Sequence, residues 1–210
     1  MINFILLLII VAIFQIFGSV LSLFFVKKFC KNIKIIIIIE ILLMFFVSAI
    51  LLMEGLKITL FVILSTLIGI FTLAILNKKV PHKHQTKTER IGFLVFIAMC
   101  LHEFPEGLAF GSSYLIDPNL GIMTAIIIAL HNIPEGSIVS IPCFIKKRFK
   151  VGFKLVLITQ LLYITGGMIA YYFLINVPQY IQAFVMTFAA GAMLYIIFEE
   201  FVWMKTSLKR

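Results

Sequence analysis

The stretch "IKIIIIIEILLMFFV", Ile33–Val47, decides the fold class. Lys34 and Glu40 are the only charges in an otherwise apolar run, and the polarity does not alternate. A strand that crosses a bilayer alternates apolar and polar positions in segments of about ten residues. A helix satisfies every backbone polar group within itself, as a hydrocarbon solvent demands. A spanning helix needs about 20 predominantly apolar residues. Seven such runs follow one another, at about 3–26, 35–54, 58–77, 91–115, 120–143, 155–175 and 180–203. The fold class is therefore all-α, a polytopic transmembrane helical bundle, with residues 1–210 forming a single domain.

Composition agrees. Apolar residues make up 62% of the chain and charged residues 13%, with a mean hydropathy of +1.16. Soluble domains carry about 45–50% apolar and about 25% charged residues. One globular core cannot hide this much hydrocarbon, so the solvent is lipid. The first run lacks a basic start and a small-residue cleavage site, and it is too long for a cleaved leader.

Of the 18 basic residues, all but Lys57 fall after the first, third, fifth and seventh runs. Cytoplasmic loops carry the excess of Lys and Arg, which predicts an outside N-terminus and an inside C-terminus in the cytoplasmic (inner, plasma) membrane. The net charge of +9 then reflects topology and attraction to anionic lipid, and it calls for no nucleic-acid partner. Cys30, Cys100 and Cys143 show no CxxC spacing, so neither a disulfide framework nor a thiolate metal site is indicated.

Glu40, Glu103, Glu106 and Glu135 lie inside the apolar runs, with Glu199 and Glu200 at an edge. A charge at the bilayer centre costs roughly 2.5–3.5 kcal/mol on insertion scales, so such residues face the bundle interior and mark function. Two histidines accompany them in a repeated pattern, "HEFPEG" from His102 and "HNIPEG" from His131. In each copy the His and the second carboxylate are four residues apart, so on a helix they share a face. His102 with Glu106, and His131 with Glu135, then form two half-sites able to bridge a divalent cation. Pro105 and Pro134 each remove a backbone donor and are expected to kink their helices, freeing a carbonyl beside the histidine. Gly107 and Gly136 would allow close helix packing.

A single buried His–Glu pair also serves as a structural hydrogen bond; its repetition on adjacent antiparallel spans favours metal. Glu103 is read as a further ligand or as a partner for another helix. Met99, three residues before His102, offers a thioether or simple packing. In the cytoplasmic loop 78–90, His82 and His84 either capture metal weakly or are plain solvated loop. Glu40 has no evident role.

"LHEFPEGLAFG" (Leu101–Gly111) and "ALHNIPEG" (Ala129–Gly136) resemble the fourth- and fifth-helix signatures of the ZIP (Zrt-, Irt-like) divalent metal transporters, nearest the bacterial ZupT-like branch. "VPHKH" falls where that family has a histidine-bearing cytoplasmic loop, and "FAAGAMLYIIFEEF" is similar to its penultimate helix. The resemblance implies a two-metal centre with His102, Glu106, His131 and Glu135 at ligand positions, and Glu103 and Asn132 at the neighbouring second-site positions. It implies transport of zinc, or of iron, manganese or cadmium, into the cytoplasm. No cofactor is expected beyond the transported ion, and a homodimer is.

Two departures stand out. Where the family places a helix-six glutamate, "TQLLYITGG" (Thr159–Gly167) has Tyr163, with Gln160 one turn earlier as a partial substitute. The family's eighth helix is expected to be absent. These leave a second reading, a transport-impaired homologue acting as metal sensor or as a subunit of a larger assembly. An intramembrane metalloprotease is the enzyme alternative, because "HEFPE" approaches His-Glu-x-x-His. Its second histidine is replaced by Glu106, and Asn132 stands where the base belongs in the other copy, so the chain is read as no enzyme.

Overall fold

The computed structural model describes residues 2–79 and 87–207; His82 and His84 lie outside them. Every regular element among the described residues is helical. The isoleucine run that begins the second span is β-branched, which in water favours strands. Hydrocarbon reverses that preference, since an unpaired backbone group there costs several kcal/mol.

The first two spans form one continuous helical segment, Ile2–Ile58, broken by non-helical backbone at Phe25 (φ −122°, ψ 26°). We name its arms α1 (Asn3–Phe25) and α2 (Ile35–Ile58). Five further helices follow: α3 (Val62–Lys79), α4 (Lys87–Ile116), α5 (Pro118–Ile145), α6 (Phe149–Leu174) and α7 (Gln179–Ser207). The loop expected between the first two spans is helical instead, and a single residue carries the kink. Among the described residues, α1, α2, α5, α6 and the Gln179–Glu199 part of α7 are long and apolar enough to cross a membrane.

The packing is that of a protein dissolved in lipid. On α1, Leu6, Ile9, Ile13 and Phe17 point outward, whereas Gln15, Ser19 and Ser22 are fully buried. Polar groups thus turn inward and hydrocarbon turns out, the reverse of a water-soluble helix. Most buried hydroxyls bond back to their own helix: Ser65 donates to the Val62 carbonyl, Ser140 to Gly136 and Thr187 to Ala183.

Close backbone approaches set the helix pairs. A Cβ on Gly18 would collide with the Ile133 carbonyl, and one on Gly136 with the Gln15 carbonyl, so α1 and α5 touch backbone to backbone. Gly107 meets Tyr163 and Gly167 in the same way, joining α4 to α6. Without a hydrophobic drive between helices in lipid, such contacts carry the association. The role expected of Gly107 and Gly136 is the one they have. On the other side Met44, Val47 and Leu51 of α2 pack with Met186, Ala190 and Met193 of α7. Ser65 of α3 bonds Thr187 of α7.

Candidate metal centre

The site begins with the turn between α4 and α5. Asp117 caps α5, accepting from the Asn119 backbone N–H at 2.9 Å, and Pro118 opens the helix where no donor is needed. His102 stands 15 residues before this cap and His131 14 after it. At 1.5 Å per residue the two arms reach about 22 Å and about 21 Å from the turn. Both hexapeptides therefore arrive at nearly one depth, facing each other.

The backbone beside them is not broken. α4 continues through Pro105, and α5 through Pro134 and Pro142, as uninterrupted helix. None of these prolines ends its helix; packed neighbours hold a proline-bearing helix together within a bundle.

His102, Glu106, His131 and Glu135 are all fully buried, and each offers a ligand atom within 4.8 Å of the others. Glu106 is the hub. Its Oε1 lies 2.8 Å from His102 Nε2 and 2.9 Å from His131 Nε2. Glu135 faces the pair from α5, with Oε1 3.8 Å from His102 Nε2 and Oε2 3.8 Å from His131 Nε2. Ligands about 2.0–2.1 Å from a tetrahedral zinc stand about 3.3 Å apart. The four nitrogen–oxygen separations straddle that value, so side-chain shifts of about half an ångström would close a cation-sized cage. Two carboxyl groups match the charge of one divalent cation.

The remaining candidates divide. With its amide nitrogen turned toward α5's own acceptors, Asn132 donates to Glu135 Oε2 at 3.2 Å and to the Ile128 carbonyl at 3.1 Å. That orientation satisfies groups which would otherwise face oxygen with oxygen, and it steadies the Glu135 carboxylate. Glu103 points elsewhere: its Oε1 accepts from Gln15 on α1 and from Gln160 on α6, the latter at 2.7 Å. Tyr163 is fully buried, stacks loosely on Phe110 with ring centroids 6.4 Å apart, and its hydroxyl has no hydrogen-bond partner among the described residues. Met99 lies on α4, its side chain outside the described set. Glu40 is fully buried, facing the bundle rather than lipid. Gln15 was not singled out from the sequence. Its signal was there, a lone amide within the apolar first span, but a polar residue reveals its partner only after helices pack.

The model of the family described as ZIP zinc transporter matches residues 74–205, which include both hexapeptides. The chain belongs to the ZIP family. It is similar to the "Zinc transporter ZupT" of Chlorobaculum parvum, 35% identical over 159 residues, covering 66% of this chain and 59% of that protein. It also resembles the "Zinc transporter ZIP13" of Danio rerio, 34% identical over 55 residues, 26% of this chain and 16% of that one. The chain thus spans less than two thirds of the length of the relatives it matches. Membership places the His–Glu cluster in a family of transporters and not of intramembrane proteases, and the apolar helices make the protein integral to a membrane.

Proposed function

We propose that this ZIP family chain carries divalent transition-metal cations, zinc foremost with iron, manganese and cadmium as further cargo, across the cytoplasmic membrane into the cell. The observation that carries the reading is the convergence of His102, Glu106, His131 and Glu135, two from each of two neighbouring antiparallel helices. Imidazole and carboxylate suit zinc, iron and manganese, and without thiolate they do not select copper(I).

In this mechanism the ion sheds water at the cluster and is held by the two imidazole nitrogens and by oxygens of Glu106 and Glu135. Glu106, at hydrogen-bond distance from both rings, holds them converged before the ion arrives. Asn132 steadies Glu135. Glu103 and Asn132 occupy the second positions of the two motifs, with Glu103 beside the cage and turned to Gln15 and Gln160. The lysine-rich ends are cytoplasmic, and the protein works as a homodimer.

Uptake of zinc, manganese and iron into proteoliposomes tests this, with His131→Ala as control. Saturable uptake lost in that variant, with the protein still folded, is the expected result. Metal binding without uptake would instead favour a sensor or an assembly subunit, a reading supported by Tyr163 at the helix-six carboxylate position.

A further inference from the structure

The four ligands come from two helix pairs, each joined backbone to backbone. Gly18 against Ile133 and Gly136 against Gln15 join α1 to α5, which carries His131 and Glu135. Gly107 against Tyr163 and Gly166 against Phe104 join α6 to α4, which carries His102 and Glu106. The cage therefore closes only when one pair is held in register with the other. Gln15 of α1 bridges the pairs at the depth of the hexapeptides. Its Nε2 donates to Glu103 Oε1 on α4. Its Oε1 accepts from two residues of α6, Gln160 Nε2 at 2.6 Å and the Thr159 hydroxyl at 3.0 Å. Gln160 closes the triangle by donating to the same Glu103 oxygen at 2.7 Å. All four side chains are buried.

The bridge stands one residue from a ligand on each side. Glu103 adjoins His102, and Gly136, which packs on the Gln15 carbonyl, adjoins Glu135. Apolar contacts between the pairs, such as Phe4 stacked on Phe110, bring them close. The amide adds direction, because a hydrogen bond weakens steeply once it bends. In the membrane interior there is no water to replace a lost partner, so a slip of one pair past the other would strand several polar atoms at once. The tie needs an oxygen at position 103 and not a charge, since an amide N–H donates to a carboxyl oxygen in either protonation state.

We propose that Gln15 is a positioning residue of the divalent metal centre. It touches no ion; through Glu103 and Gln160 it fixes the His102–Glu106 half-site against the His131–Glu135 half-site. The inference rests on the reading of those four residues as the ligands. Binding constellations work when held within about 0.5 Å of their productive geometry. Partners that orient metal ligands are worth about 10–100-fold in metal affinity.

The visible d–d bands of cobalt(II), zinc's spectroscopic stand-in, test this. They report coordination geometry, which a contact that only stabilises the fold would leave alone. The purified full chain in detergent micelles is titrated with cobalt and then with competing zinc. The wild type should show metal-dependent bands that His131→Ala lacks. Gln15→Met keeps the volume and removes the amide. It should shift and weaken the bands and lower zinc affinity about tenfold or more, with helical circular dichroism retained. Gln15→Asn, an amide one methylene too short to reach, should do the same, and it decides the matter if Gln15→Met does not fold. Glu103→Gln keeps an oxygen for Gln15 and should keep the wild-type bands. Wild-type bands and zinc affinity in a folded Gln15→Met or Gln15→Asn, whatever their unfolding midpoints, would overturn the proposal and leave the divalent reading intact. A wild type without metal-dependent bands would instead sink the divalent reading, and this one with it.

Discussion

Glu106→Gln removes the hub of the cage while keeping its volume. The side chain lies within 2.9 Å of both histidine rings through one oxygen, and it is fully buried. The amide keeps one oxygen but loses the negative charge, and its nitrogen would press a donor against an imidazole. Removing one member of a buried charge pair typically costs about 3–5 kcal/mol. At about 1.4 kcal/mol per tenfold, zinc affinity should fall by roughly two to three and a half orders of magnitude. Glu103→Gln, one residue from a ligand but turned to Gln15 and Gln160, should change zinc affinity less than tenfold. Competition of the purified protein with a zinc-chelating dye measures both, with circular dichroism and gel filtration reporting the fold. Affinity in Glu106→Gln within tenfold of wild type, or an equal loss in Glu103→Gln, would refute the assignment of the four ligands.

Three further outcomes follow from particular contacts. Gly136→Val drives a branched side chain into the Gln15 carbonyl and must separate α1 from α5, so it should destabilise the protein by about 1–3 kcal/mol or more, read as a lowered unfolding midpoint in micelles. Tyr163→Phe deletes a buried hydroxyl with no partner among the described residues; stability should be unchanged or rise by up to about 1 kcal/mol, and a clear fall would show an overlooked partner. Zinc needs neutral imidazole and ionised carboxylate, so protons compete with it: affinity should weaken steadily from pH 7.5 to pH 5.5 in a titration, and a flat profile would remove the histidines from the ligand set.

Much of this protein is written in its sequence, and for a specific reason. In lipid a backbone must close its own hydrogen bonds, so runs such as Ile33–Val47 become helices whatever their neighbours do. The His-x-x-x-Glu spacing likewise places two ligands on one helical face without reference to the rest of the chain. Those are local rules, and local rules can be read from one dimension. The kink was less legible. The lysines at 27–34 suggested a loop, but helix runs through them and the break sits at Phe25, where no proline or glycine announces it.

What only the tertiary structure decided is which side chains meet. The sequence showed two half-sites, and the nearly equal arms about Asp117 bring them to one depth, where one oxygen of Glu106 comes within 2.9 Å of both rings. Glu103 and Glu106 looked alike as acids in one motif. Their three-residue offset turns them to different neighbours, Glu106 to the histidines and Glu103 to amides on α1 and α6. Gln15 and Gln160 are 145 residues apart yet bonded. Nothing local encodes such a pair. It exists because Gly18 and Gly136 let α1 and α5 come into backbone contact, and Gly107 does the same for α4 and α6.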